Sequence, residues 1–339
     1  MRVNCTMLLM DNFLKRLYQK TEFYLILIII ILCVLLSINT DTFFTTRNAF
    51  DFLRTYSVTA IFAAGLFLVL ASGGVDISFL SIASVVQYIT MKIIILYGGD
   101  WLVAFILSGI IGILIGFLNA ILIYFLKTIS ILITIANMNV FFALLMFFTK
   151  GRSMYSLPDW FSKGITLISL KDKNGDVYNL TLPIMAMIIV YVFTYILANK
   201  TSLGRQLFAL GGNPEAAKRV GFNILALHLF AYGYMGFLAG IGGIIQAHRV
   251  DEVVPNALYG GELDVLAAVV LGGASLLGGG GSVIGTLLGV LLIAIVKNGM
   301  ALLGISSYAF KIVLGLIIVL SVSAHAISDN MKKRKIKNF

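Results

Sequence analysis

Four polar side chains, Asp76, Asn119, Asn137 and Asn139, stand in or beside long apolar runs, where such groups mark functional or packing positions. Each asparagine amide both donates and accepts, so it can trade hydrogen bonds with the hydroxyls of a polar solute. Bonding between helices is the competing role for all three. Asp76 follows Gly73-Gly74 at the end of an apolar run. A carboxylate there either caps the next helix through Ser78 and nearby amides or faces a solute path. Glu262 and Asp264 open another apolar run and are candidates for an outer gate. Lys92, Lys297, Asn298 and Lys311 complete the set, and the stems of Lys92 and Lys297 are long enough to reach a membrane face. His228, His248 and His325 have no second ligand at metal spacing, so no metal site is expected. No nucleophile and base are paired as catalysis requires. Cys5 and Cys33 suit neither a bridge nor a metal.

A different chemistry lies in the polar stretch Thr201 to Phe222, TSLGRQLFALGGNPEAAKRVGF, which separates two apolar runs. Asn213 suits an N-cap, Pro214 the first helical position, and Glu215 the positive end of the helix dipole. Lys218 and Arg219 fall near the other end, and Gly221 stops the helix. The pattern predicts one short helix over 214–220, too short to stand alone. Ala216 and Ala217 offer a small-residue face for a groove, while Arg205, Lys218 and Arg219 can pair with acidic residues of a partner.

The elements that must position these residues are membrane helices. Of 339 residues 60% are apolar and 12% charged, a balance that excludes a soluble domain of this length. At roughly 20 apolar residues per crossing, ten candidates are read: 23–38, 58–72, 77–96, 102–125, 129–148, 182–198, 225–246, 263–278, 283–303 and 308–327. Those ending at Ser72 and Gly278 run into glycines and read as broken or re-entrant helices. Residues 1–22 form a basic head with Arg2, Lys15, Arg16 and Lys20, and residues 328–339 a tail with Lys332, Lys333, Arg334, Lys335 and Lys337. Retention of positive charge in the cytoplasm places both ends there. The tail is explained by topology and anionic lipid, and nucleic-acid binding is not expected.

The resulting expectation is an all-α polytopic membrane protein with a transmembrane domain over 23–327. Its outer loop spans 149–181, and its cytoplasmic loop spans 200–222. An echo of the pattern I-G-x-L-x-G-x-L at 111–118 and 284–291 fits an inverted 5+5 repeat. Close helix packing through small residues is the alternative source of the same spacing. In the outer loop ITLISL and VYNLTL flank KDKNGD, with Asn174-Gly175 as a hairpin turn. Trp160 and Phe161 are expected as interfacial anchors.

Three segments, GGVDISFLSIASV (Gly73 to Val85), SLGRQLFALGGNPEAAKRVGF (Ser202 to Phe222) and GELDVLAAVVLGGASLLGGGGSVIGTLLG (Gly261 to Gly289), resemble the membrane subunit of bacterial ABC importers for monosaccharides, the ribose-type permeases. The likeness runs from about Phe23 to Ile327. It implies that Glu215, Ala216, Ala217 and Gly221 form the coupling motif gripped by an ATP-binding subunit. The implied partners are that subunit, an extracytoplasmic solute-binding protein and a second permease copy, identical or similar. Ala274 and Gly280 stand where relatives carry Thr and a basic residue, and Phe79 and Leu80 replace smaller residues. The first two departures weaken any transfer of substrate preference, and the last two imply different local packing.

Gly278 to Gly281 is a tight cytoplasmic reversal rather than a phosphate cradle. A Walker loop needs Lys and Ser/Thr after its last glycine, and Gly-Lys occurs nowhere in the chain. No cofactor is expected on this chain, with ATP and Mg on the partner. The cargo stays open among pentoses, hexoses, a furanose-type autoinducer and nucleosides. The reading from another class is an ion-coupled carrier using Asp76 and Lys297.

Overall fold

The computed structural model describes residues 21–171, 177–306, 308–317 and 319. In chain order its helices are α1 (Thr21–Asn39), α2 (Thr46–Ala71), α3 (Phe79–Tyr97), α4 (Trp101–Leu126), α5 (Ser130–Thr149), the short α6 (Asp159–Lys163), α7 (Leu182–Lys200), α8 (Ser202–Gly212), α9 (Pro214–Arg219), α10 (Ile224–Val250), α11 (Glu262–Leu271), α12 (Val283–Leu302) and α13 (Tyr308–Ile317). Between α6 and α7, strands β1 (Thr166–Lys171) and β2 (Val177–Thr181) pair antiparallel, with Lys171 opposite Val177. The expected hairpin is thus present, while its Asn174-Gly175 turn lies outside the described residues.

Among the described residues eight helices are long and apolar enough to cross a membrane: α1 to α5, α7, α10 and α12. The run read over 263–278 coincides with a helix of only ten residues, α11, before the backbone turns. At about 1.5 Å per residue that is roughly half a crossing. The run read over 58–72 differs from its expectation of a broken helix. It is the second half of α2, a 26-residue helix that begins at Thr46, capped by the Thr45 hydroxyl. Arg47, Asn48, Asp51 and Arg54 make its first half polar and hid its start. Of the last run, Tyr308–Ile317 is described as a continuous helix.

The core is built on α2 and α10. From Ser57 to Ala71 α2 is buried at nearly every position, as α10 is from Ala231 to Ile245. Helix α10 lies against α4 at a distance set by glycine. Any side chain on Gly112 would overlap the Gly236 carbonyl, and one on Gly116 the Tyr232 carbonyl. The second copy of the glycine echo acts alike on another neighbour, with Gly285 and Gly289 of α12 against the Gly272 and Ala268 carbonyls at the end of α11. The two copies run in opposite directions but seat non-equivalent helices, so close packing suffices to account for the echo.

One end of the bundle is closed by aromatic rings. Trp101 stacks on Phe161 at 5.0 Å between centroids, and His248 Nδ1 lies 2.7 Å from the Phe161 carbonyl oxygen. Met154 and Val253 bridge the loops above. Phe161 is fully buried, which corrects its reading as an interfacial anchor: the His248 contact pins the loop and turns the ring inward.

Candidate functional site

At the opposite end the polar stretch folds as two helices rather than the single one expected, because S-L-G-R-Q-L-F-A-L-G-G continues the helical phase while reading as polar and glycine-rich. The Thr201 hydroxyl caps α8 by accepting from the Gly204 amide at 3.0 Å. One face of α8, with Gly204, Leu207, Leu210 and Gly211, is buried, and Arg205 faces outward. Asn213 then caps α9 by accepting from the Ala216 amide at 3.0 Å. Pro214 takes the first position, Glu215 lies in the first turn, and Lys218 and Arg219 lie in the last. Val220 follows as C-cap, and Gly221 turns the chain at φ +89°.

Glu215, Ala216, Lys218 and Arg219 are exposed. Ala217 is not: it is 3% exposed and packs inward against the bundle, so the small-residue docking face reduces to Ala216. Among the described residues, Arg205, Lys218 and Arg219 have no ion-pair partner, leaving three cations and one carboxylate on this knob. Its chemistry suits an acidic protein surface.

Behind the knob lies a buried polar chain. Asp76 is fully buried, and its Oδ1 accepts from the Ser78 amide at 2.8 Å and from the Ser78 hydroxyl at 2.7 Å. Ser78 Oγ accepts from Asn119 Nδ2, and Asn119 Oδ1 accepts from Asn137 Nδ2, both at 2.7 Å. The backbone on either side of Asp76 is held by α5: the Ser130 hydroxyl accepts from the Val75 amide at 2.9 Å, and the Thr134 hydroxyl from the Ile77 amide at 3.3 Å. Three segments distant in sequence are thereby tied around one carboxylate. Asp76 Oδ2 and the Tyr232 hydroxyl are both buried with no hydrogen-bond partner among the described residues, so each keeps capacity for a further hydrogen bond.

The remaining candidates do not join this chain. Asn139 is exposed on α5, donates to its own helix at Ile135 O, and accepts from the Tyr259 hydroxyl at 3.4 Å. Toward the other end, Asp264 Oδ2 is 3.7 Å from Lys297 Nζ, which also lies 5.0 Å over the Phe310 ring. Lys297 therefore has a partner. Glu262 is 5% exposed with Oε1 unpartnered. Asn298 bonds Asn48 across α12 and α2. Lys92 lines an apolar groove between α3 and α5. No cluster of three metal-ligating side chains occurs among the described residues.

Sequence reasoning missed Ser130, Thr134 and Tyr232. Their signal was a hydroxyl at the start or middle of an apolar run, which is too common in membrane helices to single out.

Residues 48–322 match the family described as branched-chain amino acid transport system / permease component. The ribose import permease protein of Escherichia coli K12 is 32% identical over 312 residues, 90% of this chain and 92% of that protein. That of Bacillus subtilis 168 is 33% identical over 292 residues, 86% and 88% of the two chains. The autoinducer 2 import system permease protein of Photorhabdus luminescens is 28% identical over 308 residues, 90% of each chain. No solved structure matches. A multi-pass helical bundle, a charged knob at one end and this extent of similarity lead to one assignment: the chain belongs to the branched-chain amino acid transport system / permease component family.

Proposed function

We propose that the chain is the permease subunit of an ABC importer in the cytoplasmic membrane, moving a monosaccharide inward on ATP hydrolysed by a separate subunit. Relatives named as ribose import permeases, each covered over most of its length, support this class of cargo. The observation that carries the mechanism is the exposed α8–α9 knob, where Glu215 and three ion-pair-free cations stand beside the inner end of the bundle. An ATP-binding subunit grips this knob from the cytoplasm, the side to which the positive-inside rule assigns it. Its ATP-bound and ATP-free states touch the knob differently, and that difference is what shifts the permease between outward and inward forms.

An extracytoplasmic binding protein delivers the solute, and a second permease copy presents a second knob to a second ATP-binding subunit. The chain carries no step of chemistry; ATP and Mg stay with the partner. Asn119, Asn137 and the unpartnered Oδ2 of Asp76 offer hydroxyl-compatible contacts along the path. Similarity to an autoinducer 2 import permease keeps a furanose-type cargo as the second reading.

Affinity purification from native membranes, followed by an ATPase assay, tests this reading. An ATP-binding subunit is expected to co-purify, with hydrolysis stimulated by the binding protein and a pentose. Glu215→Lys combined with Gly221→Pro is expected to abolish uptake and release that subunit. Purification of the chain alone, competent for gradient-driven uptake, would overturn the proposal.

A further inference from the structure

Helix α2 and helix α11 end in the same way. The Ser72, Gly73 and Gly74 amides donate to Leu68, Leu70 and Val69, and the Gly272, Gly273 and Ala274 amides donate to Ala268, Val270 and Val269. Both ends are therefore Schellman caps with a left-handed glycine, Gly73 at φ +84° and Gly273 at φ +89°. The last turn of α8 clamps the end of α2 to the loop that follows α11. A Cβ on Gly211 would overlap the Ala71 carbonyl and lie 2.6 Å from the Gly279 nitrogen and 2.8 Å from the Gly73 nitrogen. The Gly279 amide donates to the Ala71 carbonyl at 3.1 Å, joining the loop after α11 directly to the end of α2. Gly278 closes the group, with its own Cβ position 2.6 Å from Gly73 Cα.

We infer that Gly73, Gly211, Gly278 and Gly279 form a rigid backbone joint that carries displacement of the α8–α9 knob into α2 and the α11–α12 turn together. Side chains at an interface can change rotamer and absorb a shift; backbone against backbone has no such slack. The other end of the buried α8 face is equally tight, since a side chain on Gly204 would overlap the Leu197 and Ala198 carbonyls at the end of α7. Helix α8 is thus a strut fixed at both ends, with α9 carried beyond it. Motion delivered to α9 reaches the start of the Val75–Asp76–Ile77 segment two residues after the joint. The inference rests on α9 being the docking site of the ATP-binding subunit.

Gly212 supplies the control. It is one residue away on the same helix, exposed, and its Cβ would meet only Gly279 Cα at 3.9 Å. Gly211→Ala is expected to retain the ATP-binding subunit and to lower uptake by about tenfold. Its ATP hydrolysis should lose its response to the loaded binding protein. Gly212→Ala should transport as the parent does, and equal transport by both variants overturns the joint.

A second measurement decides the matter even where Gly211→Ala fails to fold. In the assembled transporter with Cys5→Ser and Cys33→Ser, spin labels are placed at Gly212→Cys and Leu277→Cys, both on exposed positions. A second pair at Lys218→Cys and the exposed Tyr155→Cys reports on α9 itself. The first distance should be the same without nucleotide and with ATP trapped, while the second changes. A change in both overturns the joint alone; a change in neither overturns the joint and the docking reading with it.

Discussion

The two ends of the bundle are closed by opposite means. At one end four glycines meet backbone to backbone, with Gly211 wedged between Ala71 O and Gly279 N. At the other, Trp101, Trp160, Phe161 and His248 interleave their rings. Rings fill volume and can repack, whereas glycines fix a distance and cannot. The end proposed to transmit a push is built without compliance. The end beneath the proposed delivery protein has the adaptable construction.

The contrast can be broken most severely where the glycine construction extends furthest, along α4 and α10. Gly236→Leu drives a branched side chain into the Gly112 carbonyl, and the expected loss exceeds about 3 kcal/mol, enough to remove the monodisperse peak in detergent size-exclusion chromatography. A normal elution profile and melting temperature would show that the helices separate easily and that glycine contact does not set rigidity here.

Next in size is the aromatic end. Phe161→Ala empties a fully buried site and should cost about 3 kcal/mol. Phe161→Leu should cost only about 1 kcal/mol, because neighbouring rings can close on a smaller apolar group. Thermal unfolding of the pair measures the compliance directly: equal losses would mean that the ring cluster is as unforgiving as the glycines.

Asp76 lies between these cases. Asp76→Ala strands the buried Ser78 amide and hydroxyl and should cost about 2 kcal/mol. Asp76→Asn keeps an accepting oxygen and should recover most of that stability. Uptake by the Asn variant then separates two roles. Near-parent transport assigns Asp76 to holding the turn, while stable protein with lost transport assigns its unpartnered oxygen to the path.

Much of this architecture was legible in the chain because a lipid-spanning helix must be long and apolar, and eight runs satisfy that simple rule. Asn213, Pro214 and Gly221 were readable for a related reason: capping chemistry is local. The start of α2 was hidden by Arg47 to Arg54, whose polarity belongs to a helix end rather than a loop. The short extent of α11 was blurred by Leu276 and Leu277, which prolong an apolar run past the φ +89° turn at Gly273. What could not be read was the company each residue keeps. Asn119 lies 41 residues from Ser78, and Gly211 lies 138 residues from Gly73, and nothing in their neighbourhoods in the chain encodes those meetings.

The α4–α10 pairing also sets an order of assembly. Helix α4 leaves the ribosome 124 residues before α10 is complete, an interval of about 6–25 s at ordinary rates of synthesis. Its polar group has no such wait. Asn119 finds Ser78 already made, and Asn137 follows almost at once. Only the glycine face of Gly112 and Gly116 stands idle in the bilayer, and an idle face without a side-chain donor or acceptor gives the quality-control machinery of the membrane little to grasp.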